Sequence, residues 1–395
     1  MKKTVRVGLI GAGFIAGHHC AGLRRAYGVD AEVVGVTDVA PARARAFARA
    51  RKIKAFPDLA TLLPAVDVVV VCTPPAIHAE NILAAAQAGK HILCEKPLVG
   101  YAPPPGQAKT FRGDLAPKAP MLKSVLATLR RIRAAVRAKG LVFAYFENFV
   151  HTPQLQKERE IIEKTGAQIL RMIGEESHRG NLAAYSSHWK YACGGSLIST
   201  GSHPLGAILY LKRIEGLARG GRPIRPASVS ARTHALTRIK GYRDKQFLRA
   251  DYHDVEDYAW AHVVFEDGTV GDVIAGATVL GGINDYVEVF ANNHRSRCNI
   301  NPVGLLQTYN PGDEKFKDLY VNYGVSTHEG WLNVAPDENW MFGYQAEVQD
   351  ALECIVTGRE PAAGLELAVD TMATIYSAYL SAERSGAEVK IERIG

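Results

Sequence analysis

The chain has 395 residues, 47% of them apolar, with 47 Lys and Arg against 40 Asp and Glu; this is enough for about two to three domains and a sizeable core. Such a composition excludes a small binding module, a collagenous or coiled-coil chain and a disordered one, and its modest basic excess falls short of a nucleic-acid-binding protein. No apolar run approaches the roughly 20 residues of a membrane span, so no membrane partner is expected, and six scattered cysteines with no Cys-x-x-Cys pair and no export signal point to reduced thiols and a cytoplasmic location.

Val5–Ile10 reads as a short apolar strand running into Gly11-Ala12-Gly13-Phe14-Ile15-Ala16, a turn that opens a helix reaching residue 25. Residues 32–37 read as a second strand, Pro41–Arg51 as a helix, and 66–72 as a buried β-branched strand. A helix over 78–88 closes at Gly89, and 92–94 begins the next strand. This alternation predicts a doubly wound parallel sheet over residues 1–150. Prolines at 103, 104, 105, 117 and 120 mark 101–120 as a loop insertion, placed to shape a substrate mouth. A helix with a solvated basic face then runs to 139, and 141–146 is the last strand of the unit.

Residues 151–395 read differently. Helices are expected over 153–164, 196–212, Tyr344–Thr357 and 365–384, and strands over 168–175, 227–235, Tyr258–Phe265, 270–280 and 286–291, with Asp267-Gly268 as a hairpin turn. The expectation is an α+β domain with a large, mostly antiparallel sheet. Its helices are too few to cover both faces, so a homo-oligomer, a dimer or tetramer, is expected to pack through the sheet.

Three motifs carry chemistry. Gly11 and Gly13 permit a tight turn and close approach to a pyrophosphate, Phe14 and Ile15 open a helix whose N-terminus donates to it, and Asp38 closes the second strand where a carboxylate accepts from a ribose diol. Asp38 repels a 2′-phosphate and favours NAD over NADP, although Arg43 lies near enough to reach such a phosphate. Glu95-Lys96-Pro97 ends a parallel strand, where doubly wound folds place their crevice, and a lysine there can stabilise oxygen charge during hydride transfer. Gly194 to Pro204 opens a helix with Ser199 and His203 one turn apart, and His203 can take a hydroxyl proton.

Further polar groups gather at Tyr145, Glu147, Asn148 and His151, at Glu176 to Arg179, and at His188 to Tyr191. Tyr145, Glu147, His178, His188 and Lys190 are candidate substrate contacts, with Trp189 as a plane for the CH face of a sugar; the same residues also suit an ordinary polar loop. No histidine has metal-site spacing, so no metal is expected.

Taken together, the fingerprint, Thr73-Pro74-Pro75 with His78, Gly89 to Pro97, the Gly-Gly segment ending in His203, and the stretch near 378–386 resemble the Gfo/Idh/MocA family over nearly the whole chain. The resemblance implies a nicotinamide-dependent oxidoreductase acting on sugars, cyclitols or other polyols. Thr73, Pro74, His78, Glu95 and Lys96 would then lie beside the cofactor, with Lys96 and His203 as the catalytic pair. The family pattern G-G-x-x-x-D-x-G-x-H-x-x-D carries carboxylates where this chain has Ser199 and Gly206, and a serine does not relay a proton as an ionised group does. Two other readings follow: an NAD-dependent glycosidase working by oxidation and elimination, with Arg179 and Lys190 pointing to an anionic sugar, and a nucleotide-binding regulator without catalysis.

Overall fold

A computed structural model describes residues 4–181, 183–312, 314, 317–321 and 328–394. Strands β1 (Val5–Ile10), β2 (Ala31–Thr37), β3 (Lys54–Ala55), β4 (Val68–Val71), β5 (His91–Glu95) and β6 (Phe143–Phe146) form a parallel sheet in the order β3-β2-β1-β4-β5-β6. The order reverses between β1 and β4, so the loops leaving their carboxyl ends diverge and open a crevice there. Four consecutive fully buried valines make β4, as a strand covered on both faces requires.

The helix after the proline-rich insertion spans Lys118–Ala138 and so begins inside the expected loop. Pro120 sits in its first turn, where a missing N–H removes no intrahelical bond. Met121, Val125, Leu129, Ile132 and Val136 form the buried stripe, while Arg133 and Arg137 share the carboxylate of Glu366. Helix Tyr344–Thr357 returns from the C-terminal part to the first sheet, and its Val348, Ala351 and Leu352 join the core beneath Phe14–Arg24.

The second sheet comprises β7 (Ile169–Ser177), β8 (Pro226–His234), β9 (Tyr258–Phe265), β10 (Val270–Gly276), β11 (Asn284–Ala291) and β12 (Arg295–Asn299). The short β15 (Val389–Lys390) completes it beside β8, and apart from it lies a pair, β13 (Gln307–Asn310) with β14 (Gly330–Asn333). The order is β12-β11-β7-β10-β9-β8-β15, antiparallel except that β7 and β10 run parallel. Long helical connections after β7 allow that pairing, whereas Gly268, at φ +80°, turns the β9–β10 hairpin as expected. Ala259, Ala261, Val263 and Phe265 of β9 are buried, and Trp260 and His262 alternate with them on the half-exposed face.

The helix expected over 196–212 is broken. Ser196–Ser199 and Ser202–Gly220 are separate, and Gly201 between them leaves no room for a side chain, since a Cβ there would lie 2.5 Å from the Leu197 carbonyl oxygen. Among the described residues no helix is long and apolar enough to cross a membrane.

Candidate active site

A cavity of about 670 Å³ runs from the Gly11–Ile15 turn and Asp38, past Thr73, Pro74 and Lys96, to His178, Ser199 and His203. It opens at the carboxyl ends of β1, β4 and β5, the position the strand order dictates. At the turn, Gly11 has φ +99° and a Cβ there would meet the Cys72 carbonyl oxygen at 2.8 Å, while Gly13 has open space where a side chain would be. Helix Phe14–Arg24 has no side-chain cap and no acidic residue in its first turn, so its leading N–H groups remain available. This cradle fits a dinucleotide pyrophosphate.

Asp38 accepts hydrogen bonds from the Ala12 and Ala40 amides (2.9 and 2.8 Å) and a two-pronged contact from Arg43 (2.9 and 2.6 Å). Burial works to raise its carboxyl, but Arg43 and the two amides outweigh burial and hold it below the ordinary carboxylate value. Glu95 lines the cavity and receives His19 Nε2 at 2.5 Å. His78 lies behind the wall: fully buried, it sets Nε2 2.7 Å from the Thr73 carbonyl and Nδ1 3.0 Å from that of Pro97, tying the two loops together.

At the other end Lys96 Nζ donates to the backbone carbonyl of Ser199 at 2.7 Å. His203 stacks on Phe149, with ring centroids 4.7 Å apart, and presents Nδ1 to Glu147 Oε1 at 2.5 Å and Nε2 to Glu176 Oε2 at 3.7 Å. Burial, reinforced by Lys96, lowers His203 to about 4, and burial raises Glu147 to about 8. Burial also brings His178 down to about 4.

The arrangement accounts for Gly206. A Cβ at that position would lie 2.8 Å from Glu147 Cγ, so the missing side chain is what lets Glu147 reach His203 from the segment after β6. The carboxylate absent from the helix is supplied from another element. Ser199 has no such stand-in at its own position; instead Glu176 and Asp285 line the cavity nearby. Asp285 escaped the sequence reading, though a signal existed: it shares the inward register of β11 with Val287 and Val289, an acid where an apolar residue belongs.

Several expected contacts lie elsewhere. Tyr145 is fully buried in β6, behind the cavity wall. Trp189 is also buried: its ring packs 5.0 Å from Tyr379, its indole N–H donates to the Tyr101 carbonyl, and its backbone amide donates to Asp254. His188 stacks on His253, Lys190 lies over Tyr191, and neither these two nor Arg179 lines the cavity. The insertion packs on Trp189 through Gly113 and on Tyr376 through Tyr101, contributing no residue to the cavity. Proline fixes its backbone as expected; its role in the fold is to close over this aromatic cluster.

Residues 5–111 match the family described as the Gfo/Idh/MocA oxidoreductase family, NAD-binding Rossmann fold. Over these residues the chain is similar to the NAD-binding domain of the Gfo/Idh/MocA oxidoreductases. Inositol 2-dehydrogenase 3 of Saccharopolyspora erythraea is 33% identical over 153 residues, 38% of this chain and 45% of that protein, so the match spans under half of that relative. The structure of GenD2 from gentamicin A biosynthesis in complex with NAD superposes at TM-score 0.78 with 22% identity, covering 100% of this chain and 98% of that one. Scyllo-inositol dehydrogenase from Lactobacillus casei superposes at 0.72 with 16% identity and 99% coverage of both. The fold of the whole given chain is therefore shared with these structures.

Proposed function

We propose that this protein is an NAD-dependent oxidoreductase that moves a hydride between the cofactor and a carbinol carbon of a sugar, sugar derivative or polyol, with Lys96 and His203 as the catalytic pair. In this reading residues 1–150 bind the dinucleotide, and 151–395 supply the substrate and oligomerisation surfaces. The observation that carries it is the shared cavity: Lys96 and His203 line one end and the Gly11–Ile15 cradle the other. The nicotinamide, when bound, supplies the hydride acceptor or donor. Lys96 stabilises negative charge on the reacting oxygen, His203 Nε2 takes the hydroxyl proton, and Glu147 orients the imidazole through Nδ1. Phe149 holds the ring plane.

The test is a panel of neutral sugars, cyclitols, uronates and glycosides with NAD, following NADH and released aglycone together. Net NADH is expected. Aglycone without net NADH would replace this reading with oxidation and elimination, and cofactor binding with neither product would make the protein a regulator.

NAD should bind more tightly than NADP, because Asp38 stands at the ribose end of the cradle. Asp38→Ala should narrow the difference, while Arg43→Ala, which removes a 55% exposed guanidinium able to meet a 2′-phosphate, should widen it. Equal dissociation constants in the unmodified protein would refute the assignment. The half-exposed face bearing Trp260 and His262 is in turn the surface through which a homo-oligomer would form. Light scattering should give a multiple of 42.9 kDa, and a particle of that mass at micromolar concentration would refute it.

A further inference from the structure

Glu176 and Asp285 sit directly opposite each other across the β7–β11 pairing, 8% and 2% exposed, and both line the cavity. Glu176 Oε2 and Asp285 Oδ1 have no hydrogen-bond partner, and the Asp285 carboxylate makes no ion pair among the described residues. His203 Nε2 lies 3.7 Å from Glu176 Oε2, beyond hydrogen-bond distance, and burial lowers that imidazole to about 4. Lys96 donates to the Ser199 carbonyl and reaches the two carboxyls only through longer-range charge. Of the other lysines and arginines among the described residues, only Arg43 lines the cavity, beside Asp38 at the Gly11–Ile15 end.

Like charges directly opposite on a sheet repel, and a buried carboxylate without a partner is costly, so such a pair needs a proton or a cation between its members. Among the described residues no protein cation lies within hydrogen-bond distance of both; burial raises both carboxyls, so without a ligand the pair is held by protons, and Lys96 acts on it only at longer range. A ligand hydroxyl offers one hydrogen and no charge, whereas an ammonium offers three donors and neutralises the pair.

We propose that the substrate is an amino sugar or aminocyclitol whose ammonium group is bound between Glu176 and Asp285. This rests on the oxidoreductase reading of the same cavity and names its substrate class. Because Glu176 faces the His203 nitrogen that receives the hydroxyl proton, the amine belongs on a carbon next to the reacting carbinol or one removed from it. The net-positive sequence and the loop residues Arg179 and Lys190 point toward an anionic sugar; the charges that line the cavity point the other way.

The experiment uses the full chain with NAD and matched sets differing at one position: glucose, glucosamine and N-acetylglucosamine; glucose and 3-amino-3-deoxyglucose; inositol and an inosamine. NADH formation gives kcat/KM, and calorimetry on the NAD-loaded protein gives Kd. The amine should exceed its hydroxyl and N-acetyl counterparts in kcat/KM by about tenfold or more, the scale of a charged hydrogen bond. Glu176→Gln and Asp285→Asn, near-isosteric and checked for folding by their NAD affinity, should each shrink that ratio by a similar factor. A ratio of one or below, a preference for uronates, or a ratio unchanged in both variants would overturn the proposal. If no compound yields NADH, the oxidoreductase reading fails and the calorimetry decides the pair separately: tighter binding of the amine by about tenfold supports it, and equal or absent binding overturns it.

Discussion

Lys96→Ala and His203→Ala should each lower turnover by about a hundredfold or more while NAD affinity survives, because each removes a positioned acid or base without touching the Gly11–Ile15 cradle. Ser199→Ala should be mild by comparison. Lys96 is held by the Ser199 backbone carbonyl, which alanine retains, so the loss is at most about the 1 kcal/mol of a neutral hydrogen bond. Steady-state kinetics with NADH detection, alongside cofactor titration, checks all three. Damage by Ser199→Ala equal to that of His203→Ala would make the serine a direct participant. Near-full activity in His203→Ala would pass the base to His178, which shares the cavity, whereas Tyr145 and His188 do not.

The pH profile should carry the signature of Glu147. With that carboxyl raised to about 8 and His203 lowered to about 4, the hydrogen-bonded pair keeps a shared proton at neutral pH and titrates as a unit. Oxidation needs His203 Nε2 free to accept the hydroxyl proton, so the pair must first lose its own; kcat/KM for oxidation should therefore rise as pH passes about 8. In the reduction direction the same group must be protonated, and the rate should fall over that range. Glu147→Gln should abolish the inflection and cost about a hundredfold to ten-thousandfold in turnover, the range spanned when a carboxylate that orients a catalytic imidazole is neutralised. Placing Gly206→Asp in a Glu147→Ala background should recover part of the loss, because the new carboxylate would enter the space that Glu147 vacates. A flat oxidation profile between about pH 6 and 9 in the unmodified protein would rule the pair out as the proton acceptor.

Local patterns explain why the first sheet was legible. Val5–Ile10 and Pro41–Arg51 have the bounds their patterning predicts, because an apolar run between turns, or a proline opening a helix, is stabilised by neighbours in sequence. The Gly11–Ile15 turn and Lys96 were equally readable, since glycine conformation and a strand's carboxyl end are local properties. Where local signals were ambiguous the structure differs. Trp189, read as a sugar platform, is claimed by Tyr379 and the insertion, since an indole beside polar residues looks the same in sequence whether it faces a ligand or a core.

The sequence by itself determined the doubly wound parallel sheet and the mostly antiparallel second sheet, and it singled out Lys96 and His203, which line one cavity. Only the tertiary structure decided which carboxylates gather around His203. Glu147 reaches His203 because Gly206 leaves a gap on a helix far away in sequence, and Asp285 meets Glu176 because β11 pairs with β7 in one particular register. Both depend on contacts between distant segments, where a one-residue slip would turn each side chain to the opposite face, and no local pattern specifies them.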